Sequence, residues 1–237
     1  MTRADVMVRN SFLFDLDGTL VDSVYQHVLA WHEALRSEDI ALSIWRIHRK
    51  IGMSGGLFAD QLLREIDRPI DATMIQRLRA RHAEAYHRLA DDVVPLPGAR
   101  ELLETLTTMG VPWAIATSGR IETAGVNLRA LGVDPDQNVV VTRDQVRFAK
   151  PDPDLFVEAA RRLGVPIDHA IVVGDSVWDM LAAARCRALG VGLLSGGYGR
   201  EELERSWALR VYDDPADLLH HLDEVSSRAY AADHPLG

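Results

Sequence analysis

The chain has 237 residues, of which 47% are hydrophobic and 26% charged, and its net charge is -9. That length and balance predict a globular protein of one large domain, or one domain carrying a smaller one, and the acidic surplus fits nucleic-acid binding poorly. No apolar run approaches the roughly 20 residues that cross a bilayer, and the first ten residues mix Arg and Asp without the apolar centre of an export signal. The single Cys186 can form no internal disulfide, which suits a cytoplasmic chain.

Phe12-Leu13-Phe14 predicts a buried strand that ends in Asp15, Leu16, Asp17 and a Gly18-Thr19 turn. Side chains alternate along a strand, so Asp15 and Asp17 leave its end on one side. Two carboxylates so close repel unless a cation lies between them or one holds a proton. An ordinary Asp-Gly turn is the bland alternative. Val24, Val28, Trp31 and Leu35 recur at helical spacing and predict a helix over 23–36, with Asp22 and Ser23 supplying its N-cap. A second helix is predicted over 43–49, then a glycine-containing loop from Ile51 to Gly56, then helices over 57–66 and 72–89. No strand pattern falls between Ser23 and Asp92, which sets about seventy residues apart as all-helical. Arg77, Arg79, Arg81 and His82, with Arg88 further on, read as a solvated helix face.

From Pro97 helices and strands alternate. Helices are predicted over 98–109, 121–131, 153–163 and 177–187, and strands over 112–116, 138–141, 170–173 and 190–194. A last strand over 210–212 and helix over 215–222 precede a loose tail after Ser226. Short apolar strands separated by helices predict a parallel sheet covered on both faces. Ligands of such sheets collect at the carboxyl ends of the strands. There fall Thr117-Ser118-Gly119, Lys150-Pro151-Asp152-Pro153 and Gly174-Asp175-Ser176-Val177-Trp178-Asp179. At a strand-to-helix junction the hydroxyls of Thr117 and Ser118, with free amides, form an oxyanion site, a helix cap, or both. Pro151 and Pro153 stiffen the loop that carries Lys150. Trp178 and Cys186 read as packing residues.

These motifs, in this order, resemble the haloacid dehalogenase superfamily of hydrolases, and within it the phosphoglycolate phosphatase and β-phosphoglucomutase-like group, over roughly Ser11 to Leu222. The resemblance implies an α/β fold: a Rossmann-like core of parallel strands with helices on both faces, formed by residues 1–22 and 93–237. It also implies a small all-helical cap domain, residues 23–92, inserted between the first and second motifs, with hinges at 22–23 and 91–97. The implied activity is that of a Mg2+-dependent phosphatase acting on a small phosphorylated metabolite through an aspartyl-phosphate. Asp15 would be the nucleophile and Asp17 the general acid and base, with Thr117 and Lys150 completing the catalytic set. Asp15, the Asp17 backbone carbonyl and Asp175 would hold the metal, an all-oxygen set that suits Mg2+. Asp179 would lie beside the ion, towards a water or Lys150, or serve as an ordinary helix N-terminal acid. Thr117, Ser118 and Lys150 would bind the phosphoryl group.

On the cap side, His27, Gly52 and Ser54 are the substrate candidates, His27 with packing as its alternative. Where the mutases carry an arginine for a second phosphate this chain has Gly55, and where they carry Glu-Asp it has Gly174-Asp175. Both departures argue against the mutase alternative. A phosphonatase would need a cap lysine, for which Lys50 is the one candidate. Dehalogenation needs no metal and would leave Asp17 with Asp175 without purpose. A binding relative that has lost catalysis is at odds with the complete set of groups. Neither nucleic acid nor membrane is an expected partner, and the expected state is a monomer or homodimer.

Overall fold

A computed structural model describes residues 10–53, 57, 58, 61 and 71–226. Strand β1 (Ser11–Phe14) is buried along its whole length and runs through the middle of a six-stranded sheet. Its partners in chain order are β4 (Trp113–Ala116), β5 (Val140–Val141), β6 (Ala170–Gly174), β7 (Leu189–Leu193) and β8 (Ala208–Tyr212), all paired in parallel in the order β5-β4-β1-β6-β7-β8. A strand covered on both faces reads as an unbroken apolar run, because each successive side chain enters a different core. Phe12 and Phe14, with Ile115, Ile171 and Val173, pack under helices α4 (Ala99–Thr108) and α5 (Ile121–Leu131). Leu13, Ala114, Ala116 and Val172 face α6 (Asp154–Leu163) and α7 (Val177–Arg185), whose Ala159, Ala160, Ala182 and Ala183 keep that layer thin. The result is the Rossmann-like α/β core that the alternation predicts.

Most predicted boundaries hold to within two residues. The helix expected to reach Arg187 stops at Arg185, because Arg187 turns to φ 63°. The last predicted helix is two short ones, α9 (Pro215–His220) and α10 (Leu222–Ser226), preceded by α8 (Arg200–Arg205). Residues 57, 58 and 61 are helical, whereas the rest of the helix expected over 57–66, Ser54 to Gly56 and the tail after Ser226 lie outside the described residues.

Between Ser23 and Asp92 the described residues contain no strand; besides helical residues 57, 58 and 61 they form helices α1 (Val24–Arg36), α2 (Ile44–His48) and α3 (Ala72–Leu89) and a short 3-10 turn. The periodicity missed a small antiparallel ribbon at the two crossings, β2 (Val21–Asp22) with β3 (Val94–Pro95). Two residues per strand are too few to show a period of two. The helical layer has two faces. Val24, Val28, Leu35, Ile47 and Leu78 form its own core with Trp178, while Ala30, Ala85 and Tyr86 join the core of the sheet. Polar contacts fasten its far end: Arg49 pairs with Glu202, His48 Nε2 lies 2.8 Å from the Gly196 carbonyl, and the Tyr198 hydroxyl donates to the Arg49 carbonyl at 3.1 Å.

Phe14, fully buried directly before Asp15, is the natural probe of this core. Phe14→Ala is expected to cost about 3–5 kcal/mol, lowering the urea midpoint with little change in slope. A midpoint equal to that of the wild type would show that β1 is not the centre of the cooperative core.

Candidate active site

Asp15 leaves the end of β1 with its backbone amide still donating to the Val173 carbonyl at 2.9 Å. Its side chain meets Asp175, from the end of β6, and Asp179, one helical turn on in α7. The three offer carboxylate oxygens within 4.8 Å of one another, and all are buried. Among the described residues one cation answers them. The Lys150 ammonium, fully buried, pairs with Asp15 and lies 2.7 Å from Asp179 Oδ1. Asp179 Oδ2 accepts from the Ser176 hydroxyl at 2.5 Å and its amide at 3.2 Å, so Asp179 both caps α7 and holds the lysine. Asp175 Oδ1 accepts from the Thr19 hydroxyl at 2.8 Å.

Three carboxylates against one ammonium leave excess negative charge in a medium that solvates it poorly. Burial, with Asp179 and Asp17 nearby, raises Asp15 to about 7 against the pull of Lys150. Burial, then Asp179 and Asp15, pushes Asp175 well above the carboxylate range. Burial disfavours the Lys150 ammonium, but Asp15 and Asp179 more than offset it and raise its pKa. A divalent cation among these oxygens would remove the excess charge, and an all-oxygen donor set suits a hard ion.

The turn that carries Asp17 needs Gly18 for two reasons. Its φ is +79°, and a Cβ there would fall 2.5 Å from Val24 Cγ2 and 2.7 Å from Asp175 Oδ2. Gly196, which the sequence did not single out, approaches the Asp175 carboxylate so closely that any Cβ would run into it. Asp17 Oδ1 accepts from Ser23 Oγ at 2.7 Å and Asn127 Nδ2 at 2.5 Å, and lies 3.2 Å from His27 Nε2. Burial opposes its charge, but His27, Ser23 and Asn127 outweigh that and hold Asp17 below the usual range. Ser23 does stand at the N-cap position of α1, yet its hydroxyl makes no cap and donates to Asp17 instead.

Behind Asp17 the polar chain continues into α3. His27 Nδ1 lies 3.1 Å from His82 Nε2, and the His27 ring stacks on Tyr86 with centroids 3.9 Å apart. Burial, together with His27, pushes His82 well below its ordinary pKa and keeps it neutral. The Tyr86 hydroxyl donates to Asn127 Oδ1 at 2.6 Å.

Asp15 and Asp17 open onto a cavity of about 480 Å³, whose sheet side is completed by Thr117, Ser118 and Gly119. Thr117 Oγ1 accepts from the Gly119 amide at 2.9 Å, while the buried Ser118 hydroxyl has no partner among the described residues. The helical layer supplies His27, Trp31, Lys50 and Gly52 to the opposite wall. Lys150, Asp175 and Asp179 lie behind Asp15 and do not line the cavity. Ser54 lies outside the described residues.

The solvated-face reading of the 77–88 segment holds for Arg77 and Arg88, which pair with Glu38 and Glu33. It fails for Arg79 and His82, which line the cavity. Leu78, His82 and Tyr86 recur every four residues, a stripe that could have placed His82 inside. Asn127 carried a similar signal, a polar residue on the face of α5 that also buries Ala124, Leu128 and Leu131.

A family model described as haloacid dehalogenase-like hydrolase matches residues 10–187. The chain is similar to hexitol phosphatase A of Escherichia coli, 33% identical over 76% of this chain and 82% of that protein. It is similar to phosphoglycolate phosphatase of Rhodospirillum rubrum, 35% identical over 87% and 88%. Among solved structures, a hydrolase from Pseudomonas syringae is 59% identical and superposes with a TM-score of 0.91, covering 92% of this chain and all of that one.

Asn127 tests the setting of Asp17. Asn127→Ala removes a donor to Asp17 and the acceptor of Tyr86, and is expected to cost about 1–3 kcal/mol of unfolding free energy at neutral pH. The folded-state pKa of Asp17 is depressed, so its share is complete above its ordinary value, near pH 4, and disappears as pH falls through the depressed one. Denaturant titrations should therefore show the gap between wild type and variant narrowing below that pH. The Tyr86 share, which does not titrate there, should remain. A gap that widens on acidification would contradict the setting.

Proposed function

We propose that this chain, which belongs to the haloacid dehalogenase-like hydrolase family, is a Mg2+-dependent cytoplasmic phosphatase that hydrolyses a small phosphomonoester through a phosphoenzyme on Asp15. The observation that carries the reading is the placement of Asp15. It is a buried carboxylate paired with a buried ammonium on one side and open on the other to a cavity holding the Ser118 hydroxyl, which has no partner among the described residues. The phosphatases among its relatives supply the reaction class. In this reading residues 1–22 and 93–237 form the catalytic core, and residues 23–92 act as a cap that closes the substrate cavity with His27, Lys50 and Gly52.

The Asp15 carboxylate attacks phosphorus, an oxygen–phosphorus bond forms as the bond to the leaving oxygen breaks, and the alkoxide takes a proton from Asp17. Water then attacks phosphorus, Asp17 accepts its proton, and phosphate departs with Asp15 restored. Asp17 is an ionised acceptor in the empty site, the form needed for the second step. An arriving phosphate dianion raises its proton affinity and prepares it for the first. Thr117 and Ser118 receive the phosphoryl oxygens with their hydroxyls and the amides at the start of α5. Lys150 acts through Asp15, keeping the carboxylate charged and aimed. Asp15, the Asp17 backbone carbonyl and Asp175 would hold Mg2+, which supplies charge neutralisation at the phosphoryl oxygens.

Asp15→Asn should lower kcat by on the order of 10⁴-fold or more, as loss of a nucleophile does, while the fold survives. EDTA should abolish hydrolysis of p-nitrophenyl phosphate and Mg2+ restore it. Asp17→Asn should release p-nitrophenol in a partial burst and then stall, because a good leaving group needs little protonation but the second step lacks its base. Acid quenching should trap labelled phosphate on Asp15. Wild-type turnover of alkyl phosphates by Asp17→Asn, or full activity in EDTA, would refute the mechanism.

A further inference from the structure

The cavity has a second charged wall that the proposed chemistry does not use. Arg79 from α3, Arg120 before α5 and Arg143 after β5 all line it, in a protein whose net charge is -9. Arg120 is neutralised by Asp144 at 2.5 Å. Among the described residues Arg143 donates only to the carbonyls of Val146 and Arg147, at 2.7 and 3.2 Å, and no carboxylate pairs with it. Arg79 has neither hydrogen bond nor ion pair among the described residues. Partial burial, then the Arg120 and Arg143 cations, pull its pKa down. Of the nearby acids, Asp144 is committed to Arg120 and the Ile121 amide, and Glu122 shares the wall. Guanidinium groups gathered against their own repulsion are a receptor for a planar or tetrahedral anion, which each can grip with two hydrogen bonds. The phosphoryl end of a substrate is already accommodated by Asp15, Thr117 and Ser118, and about 480 Å³ is room for a molecule well beyond phosphate itself.

We propose that the substrate is a phosphomonoester carrying a second anionic group, a carboxylate or another phosphate, at the end away from the transferred phosphoryl. Arg79 receives that group, and Arg120 and Arg143 supply the surrounding field. This rests on the phosphatase reading. It names the class of substrate, and it makes Arg79 a specificity residue supplied by the helical layer, remote from the chemistry.

The test compares substrates that share a skeleton. 6-Phosphogluconate against sorbitol 6-phosphate, and 3-phosphoglycerate against glycerol 3-phosphate, differ by a carboxylate in place of a hydroxymethyl group. Fructose 1,6-bisphosphate against fructose 6-phosphate adds a phosphate instead. The wild type should favour the anionic member of at least one pair by about tenfold or more in kcat/KM, mostly through KM. Whichever arm responds identifies the group. Arg79→Met should erase that preference and Arg79→Lys keep part of it. The ratio is taken within one preparation, so partial unfolding of a variant cancels. A wild type that hydrolyses p-nitrophenyl phosphate but treats the members of every pair alike overturns the subsite and leaves the phosphatase reading standing. So does an Arg79→Met variant that keeps the wild-type preference. Failure to hydrolyse p-nitrophenyl phosphate with Mg2+ overturns both.

Discussion

One ammonium set among three buried carboxylates is the constraint on which the rest of this molecule depends. Lys150, Asp15 and the Asp175–Asp179 pair come from three separate stretches of the chain, and each charge would be costly to bury alone. Their meeting point follows from strand order. With β1 between β4 and β6, the groups after those strands, Thr117 and Asp175, flank Asp15 on either side. The remaining imbalance in charge makes the cluster one that could hold a cation.

Asp15 and Asp17 stand two positions apart and are pushed in opposite directions. Burial dominates at Asp15, whereas three donors overcome burial at Asp17. Two of these donors, Ser23 and His27, stand at the start of the helical layer, and the third, Asn127, is itself fixed by Tyr86 of α3. The protonation of Asp17 is therefore coupled to how the helical layer is seated. In the proposed mechanism, the same helices that enclose a substrate also prepare the acid and base.

The charge of the cavity is graded in the same way. Its inner end faces Asp15 and Asp17, and its outer wall carries guanidinium groups drawn from both layers. Arg79 travels with α3, while Arg120 and Arg143 belong to loops at the sheet edge. An acidic protein that handles anions needs such a local positive field, and a wall shared between two layers can both attract an anionic substrate and hold the layers together around it.

The fold was largely legible in the chain because its signals are local. Unbroken apolar strands such as Phe12-Leu13-Phe14, helical stripes such as Val24-Val28-Trp31-Leu35, and polar motifs at strand ends need only neighbouring residues to be read. What the sequence by itself determined was thus the alternating α/β plan, the all-helical segment, and the candidates Asp15, Asp17, Thr117, Ser118, Lys150 and Asp175. Tertiary structure decided the partners. Asn127 meets Asp17 across 110 positions, Gly196 makes room for Asp175, the Ser23 hydroxyl leaves its helix for Asp17, and α3 turns Arg79 and His82 into the cavity. None of these follows from spacing, because periodicity reports which face of an element is apolar. Helix rotation and strand order fix which distant group that face will meet.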